Sequence, residues 1–250
     1  MAASAAAAIS GTAEEDDFVF EEQIARDRYN LGHWVSYIAA KRSAPLAARV
    51  QLYERAVSLL PGSYKLWHAF LSERIKGVAG KRLDDPRWQI TVNTFERALV
   101  TLHKCPRIWL MLCELLVQQR FVTGARRAFD RALQSLPVTQ HERVWKVYLG
   151  FVRECGSMET AVRVYRRYLK FDPSHREEYV DYLLSIKVYD EAAQQLAEIV
   201  NDEAFVSLAG KLPTLTLTLA LPERRGLRLT GGQAALRLAS EHTAYRAPNH

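Results

Sequence analysis

Residues 125–149 read ARRAFDRALQSLPVTQHERVWKVYL, and this stretch decides the fold. Ala125, Ala128, Phe129, Ala132 and Leu133 recur at helical spacing and make one apolar face. The small alanines let a neighbouring helix approach closely, while Phe129 fills the space beside them. Pro137 lacks an N–H and has a fixed φ, so it ends that helix. Thr139 and Glu142 have capping-box spacing and predict a restart. Trp145, Tyr148 and Leu149 then stand at i, i+3 and i+4, one face of a second helix.

Both blocks recur. WVSYI (34–38), WHAFL (67–71), WLMLC (109–113), WKVYL (145–149) and YVDYL (179–183) each open with an aromatic, at spacings of 33, 42, 36 and 34 residues. Each is followed by a second signature: RVQLYERAV (49–57), TVNTFERAL (91–99), ARRAFDRAL (125–133), TAVRVYRRYL (160–169) and a weaker EAAQQLAEIV (191–200). Pro61, Pro106 and Pro173 follow second helices as Pro137 does. Ser174 with Glu177 repeats the capping-box spacing, and Asp190 is a candidate N-cap. The insertion GVAGKRLDDP (77–86) reads as a long inter-helix loop and accounts for the 42-residue spacing.

A single helix pair cannot bury its apolar face, so stacked neighbours must supply the core. The expected fold is all-α, an α-solenoid of about five antiparallel helix pairs over 18–205. An acidic disordered arm is expected at 1–17 and a divergent, poorly ordered tail at 206–250.

The chain has 250 residues, 48% hydrophobic and 25% charged, which is globular composition. Its net charge of +6 is unevenly spread. Residues 1–25 hold six acids and no Lys or Arg, whereas 212–250 hold five Arg against Glu223 and Glu241. The basic body between them suits acidic proteins or nucleic acid, and equally a solvated surface. Cys105, Cys113 and Cys155 are too few and too scattered for a disulfide framework, which favours a reducing compartment. MAASAAAAIS has no basic n-region, and no run approaches the roughly 18 apolar residues of a membrane span, so neither secretion nor insertion is expected.

Catalytic signatures are missing from the sequence. It contains no GxxxxGK[ST], no GxGxxG after a strand and no HExxH. The histidines (33, 68, 103, 141, 175, 242, 250) never fall at i, i+4, and His103 with Cys105 lacks the second pair of a zinc site. No catalytic residue, cofactor or metal is expected, and no enzyme activity.

The recurring positions are read as structural: Trp34, Tyr37, Tyr53, Trp67, Phe70, Phe95, Trp109, Phe129, Trp145, Tyr148, Tyr165, Tyr179 and Tyr182. Trp34, Trp67, Trp109 and Trp145 could stack on RNA bases, but their apolar i+3 partners favour packing. Glu54, Arg55, Glu96, Arg97, Asp130 and Arg131 recur at one helix position and are expected to link adjacent repeats by ion pairs or hydrogen bonds. Arg163, Arg166, Arg167 and Lys170 form a basic stripe, expected beside an apolar face of Val162, Tyr165 and Leu169. The stripe is a solvated face, a dock for an acidic protein segment, or a contact for RNA phosphates.

W-x-x-Y/F on the first helix and Y/F-E-R-A on the second resemble the half-a-TPR (HAT) repeat. LLPGSYKLW (59–67), RAFDRALQSLPVTQHERVW (127–145), YRRYLKFDP (165–173), EEYVDYL (177–183) and DEAAQQLAEIVNDEAFVSLAGK (190–211) resemble the N-terminal part of the Syf-type pre-mRNA-splicing factors, called the xeroderma-group-A-binding family in animals. The opening DFVFEEQIARDRYN (17–30) fits as well, so the resemblance covers about 17–211. It implies a nuclear, non-catalytic protein–protein scaffold of the spliceosome, in its Prp-nineteen-associated complex. Splicing proteins would be its partners and any RNA contact indirect. In animals it also implies a part in transcription-coupled DNA repair. Two alternatives differ in class: an RNA-binding helical-repeat protein using its basic face, and a generic TPR-like peptide adaptor. After Lys211 the repeat phase predicts another aromatic helix near 213, but the chain reads LPTLTLTLALPERRGLRL, without tryptophan and with strand-like alternation. That tail resembles an intron read-through or a frameshifted end, and no family function is expected of it.

Overall fold

A computed structural model describes residues 17–202. The acidic arm lies outside the described residues except for Asp17, which opens a helix, and the tail at 206–250 lies wholly outside. Among the described residues the fold is all-α, with eleven α-helices and no strand. They are α1 (17–26), α2 (Leu31–Ala40), α3 (Leu46–Leu59), α4 (Tyr64–Val78), α5 (Pro86–Leu102), α6 (Pro106–Gln118), α7 (Val122–Ser135), α8 (His141–Glu154), α9 (Met158–Phe171), α10 (Arg176–Ser185) and α11 (Tyr189–Asn201). First helices α2, α4, α6, α8 and α10 alternate with second helices α3, α5, α7, α9 and α11. This is the α-solenoid that the repeat pattern predicts.

The chain forms two compact units that divide within α8, after Tyr148. In the first unit α3 packs on α4, α4 on α5, α5 on α6 and α6 on α7. Its core is the predicted faces: Trp34, Trp67, Phe70, Phe95, Trp109, Phe129 and Tyr148 are all buried, as is Cys113 on α6. In the second unit α10 packs on α11, and Tyr165, Tyr168, Tyr179 and Leu183 are buried.

The sequence missed the role of α1. FEEQIA (20–25) matches the YERAVS of α3, so α1 is the second helix of a further repeat. Phe20 stacks on Tyr37 at 5.2 Å, just as Tyr53 stacks on Phe70 at 5.3 Å.

Helix ends follow local chemistry, with three corrections. Asn30, Ser63 and Asp85 cap α2, α4 and α5 through their side chains. The capping boxes at Thr139 and Ser174 do not form, because both residues sit in 3-10 turns (Val138–Gln140 and Pro173–His175) ahead of the helices. Ser174 instead donates its hydroxyl and its N–H to Asp172. Asp190 is not the N-cap of α11; it lies in the first turn, where its charge suits the helix dipole. The loop expected at 77–86 is shorter, since α4 runs through Val78 and Pro86 is the first residue of α5.

Helices α6 and α10 end in Schellman turns: Phe121 N–H bonds Leu116 O at 3.1 Å, and Val188 N–H bonds Leu183 O at 3.0 Å. The left-handed residue in each is not glycine but Arg120 (φ 56°) and Lys187 (φ 62°).

Candidate functional site

Four tryptophans share one device. The indole Nε1–H of Trp34, Trp67, Trp88 and Trp109 donates to the carbonyl six residues earlier: Arg28, Pro61, Arg82 and His103, at 2.9, 2.8, 2.9 and 2.7 Å. A buried indole N–H is costly unless paired, so each ring pins the loop that precedes its helix. Two of these carbonyls accept a second bond from the repeat's other helix, Thr101 Oγ1 to Pro61 O (2.8 Å) and Ser135 Oγ to His103 O (3.1 Å). Trp88 falls outside the repeat phase and was missed; here it fastens the long 79–85 loop. The sequence carries no signal for the clasp, since every residue has a backbone carbonyl and the acceptors Arg28, Pro61, Arg82 and His103 share no side-chain type.

The Glu–Arg positions form a ladder across the first unit. Arg55 grips Glu21 through both guanidinium nitrogens (2.7 and 2.7 Å), Arg97 grips Glu54 (3.0 and 2.7 Å) and Arg131 grips Glu96 (2.7 and 2.7 Å). Each link joins an arginine to the acid of the preceding second helix, and each bidentate fork fixes geometry as well as charge. The same arginines lie over the tryptophans of their own repeats: Arg55 over Trp34 (5.6 Å), Arg97 over Trp67 (5.9 Å) and Arg131 over Trp109 (5.2 Å). The Arg55 hydrogen bonds hold the Glu21 carboxyl below the usual range, and their glutamates push Arg97 and Arg131 upward. Asp130 accepts from Tyr148 Oη at 3.5 Å, and Phe129 stacks on Tyr148 at 4.5 Å with rings 7° apart; Trp145 is buried beside Tyr148 at 5.7 Å.

The second unit uses phenols instead. Tyr165 stacks on Tyr179 (5.2 Å) and on the half-buried Tyr182 (5.0 Å). Arg153 donates to Tyr165 Oη, and Tyr179 Oη donates to Glu191, which also accepts from Arg166 Nε at 2.8 Å. Burial raises the Glu191 carboxyl, but the Arg166 and Tyr179 hydrogen bonds outweigh it and leave the group below its usual range. Burial and Glu191 together push the Tyr179 phenol upward.

The basic stripe is placed differently from expectation. The buried face of α9 is Ala161, Val164, Tyr165 and Tyr168, while Val162 and Leu169 are half-buried. Arg163, Arg166, Arg167 and Lys170 are exposed on the side opposite that face, not beside it. Val162 and Leu169 flank the buried face instead of centring it. Arg166 stands where α3, α5 and α7 carry an acid and is engaged by Glu191, and Arg163 meets Glu159 at 3.5 Å.

An open cavity of about 380 Å³ lies in the first unit, lined by Glu96, Leu99, Val100, His103, Trp109, Arg131, Gln134 and Ser135. Among the described residues no group of three or more His, Cys, Asp or Glu could hold a metal, and no helix is long and apolar enough to cross a membrane.

Stacked second-helix aromatics, clasped tryptophans and a Glu–Arg ladder define a helical-repeat protein of the HAT class. Residues 16–174 match the family described as the pre-mRNA-splicing factor Syf1/CNRKL1 N-terminal HAT repeat, and the chain belongs to that family. It is 50% identical over 198 residues to pre-mRNA-splicing factor SYF1 of Homo sapiens, covering 79% of this chain and 23% of the relative. To the syf1 homolog of Drosophila melanogaster it is 51% identical, covering 79% and 22%, and to cwf3 of Schizosaccharomyces pombe 37%, covering 78% and 25%. The chain thus spans about a quarter of the length of these curated relatives.

Proposed function

We propose that this chain is a non-catalytic protein–protein scaffold of the spliceosome, acting in the nucleus in pre-mRNA splicing. The family's Prp-nineteen-associated complex is its setting, and a role in transcription-coupled repair follows the same family. The names of its relatives support splicing. The observation that carries the scaffold reading is how the repeat signature is used. Its charged and aromatic side chains are engaged with one another, holding helices in register, and among the described residues none converges on a reacting centre. A helical-repeat protein of this kind works through extended surfaces instead of a single pocket.

Purification of the tagged chain from nuclear extract, with identification of what accompanies it, tests the proposal. Splicing proteins are the expected companions. A folded chain that recovers none overturns it.

A further inference from the structure

Resting on the scaffold reading, we infer that one edge of the first unit docks an acidic, extended protein segment with an apolar side chain seated in the cavity beside Trp109. In antiparallel pairs all first-helix N-termini share an edge with all second-helix C-termini. On that edge Lys65, Arg107 and Arg143 occupy one repeat position, two residues before Trp67, Trp109 and Trp145, and Lys104 lies in the loop between α5 and α6. All four are exposed, and none forms an ion pair among the described residues. The loops 60–63, 103–105 and 136–140 hold no Asp or Glu, and Glu142 is the only acid in the first turns of α4, α6 and α8.

Ion pairing among the described residues does not account for this row. Each cation faces the positive end of its own helix dipole, which the second-helix C-termini on the same edge offset. Three repeats place one there, while the ladder arginines are matched with acids. The row therefore presents positive charge to something outside the chain.

The spacing suits a polypeptide. Helices α4 and α6 both pack on α5, so their cations recur within about two packing distances, roughly 8–20 Å, a span of about three to six residues of extended chain. The cavity supplies the anchor. Leu99 and the 78% exposed Val100 form an apolar wall, Trp109 lies deeper, and the clasp of His103 by Trp109 and Ser135 shapes the rim. Nucleic acid fits less well. Trp67, Trp109 and Trp145 are buried and offer no ring face to a base.

The test is fluorescence anisotropy on the full chain with a labelled peptide of Glu-Glu-Leu repeats, beside a Glu-Glu-Gly peptide and oligouridylate. The leucine peptide should bind at least about tenfold tighter than the glycine peptide, the margin of about 1.4 kcal/mol that one seated leucine side chain supplies. Changing Lys65, Arg107 and Arg143 together to Gln should weaken it at least tenfold without lowering the melting temperature, and Arg107→Lys should retain binding. Three results overturn the inference: no leucine-peptide binding, equal binding by the triple variant or by both peptides, or tighter oligouridylate binding lost in the triple variant. The nuclear-extract purification separates this from the scaffold proposal. If the wild type and the triple variant recover the same splicing proteins, the edge is wrong and the scaffold stands. If the wild type recovers none, the scaffold itself fails.

Discussion

The two units solve the same stacking problem with different donors. The first joins repeats through indole N–H groups on loop carbonyls and arginine forks on carboxylates, so one bond of each joint is neutral and partly buried. The described part of the second has no tryptophan, and its joints run through tyrosine hydroxyls to charged groups, with Glu191 receiving both Tyr179 and Arg166. The indole–carbonyl bonds of the first unit hold no ionisable group, whereas Glu191 gathers two bonds of the second unit on one ionisable group.

Removing an anchor from the first unit gives the largest expected effect. Trp109 is 3% exposed, its N–H holds the His103 carbonyl and its ring carries Arg131. Trp109→Ala should cost about 3–5 kcal/mol in a urea or thermal melt. An unchanged midpoint would show that the clasp is dispensable and would break the comparison.

Next comes Glu191→Gln in the second unit, with an expected loss of about 1–3 kcal/mol. Its pH dependence is the sharper measurement. A carboxylate held below its usual range stabilises the fold above its unfolded pKa, and that stability is lost as pH falls through the folded value. The wild type should therefore lead the variant at neutral pH, begin to lose that lead as pH falls through the ordinary carboxylate range, and converge on the variant only below the lowered folded value. A gap that is constant with pH would mean that Glu191 acts through shape, not charge.

A third test treats both units alike. Arg120 and Lys187 hold left-handed backbone that costs a side-chain-bearing residue about 1–2 kcal/mol. Replacing either with Gly should raise stability by about 1 kcal/mol, less the entropy that glycine loses. A gain in only one unit would show that the other turn is held by its surroundings.

The smallest effect belongs to the ladder. Glu96 and Arg131 are 41% and 49% exposed, so a double-mutant cycle with Glu96→Gln and Arg131→Gln should give a coupling of about 0.2–1 kcal/mol that shrinks in high salt. A coupling insensitive to salt would mark the fork as steric in origin.

The repeats were legible because aromatic and alanine positions recur with helical period, and a stacked pair leaves that period no other use. The Glu–Arg positions were legible for the same reason, though not their direction, backward by one repeat, because spacing along the chain does not say which neighbour a side chain faces. The sequence hid α1 because its match, FEEQIA, comes without a first helix in the described chain and with Glu22 where arginine belongs. It hid the clasp because a carbonyl acceptor leaves no residue signature. It misplaced the capping boxes because Thr139 and Ser174 carry the right side chains at the right spacing, yet Pro137 and Pro173 wind the chain into a 3-10 turn first.

The ladder also bears on how such an array changes length. Glu54 and Glu96 are interchangeable sockets, and Arg97 and Arg131 are interchangeable plugs, each lying over its own tryptophan. Excising the stretch from Pro61 to Leu102 would bring Glu54 opposite Arg131 and the end of α3 up to the loop before Trp109, with no new surface to invent. A coupling of identical parts lets a gene gain or lose whole repeats by duplication or deletion and still encode a chain that closes.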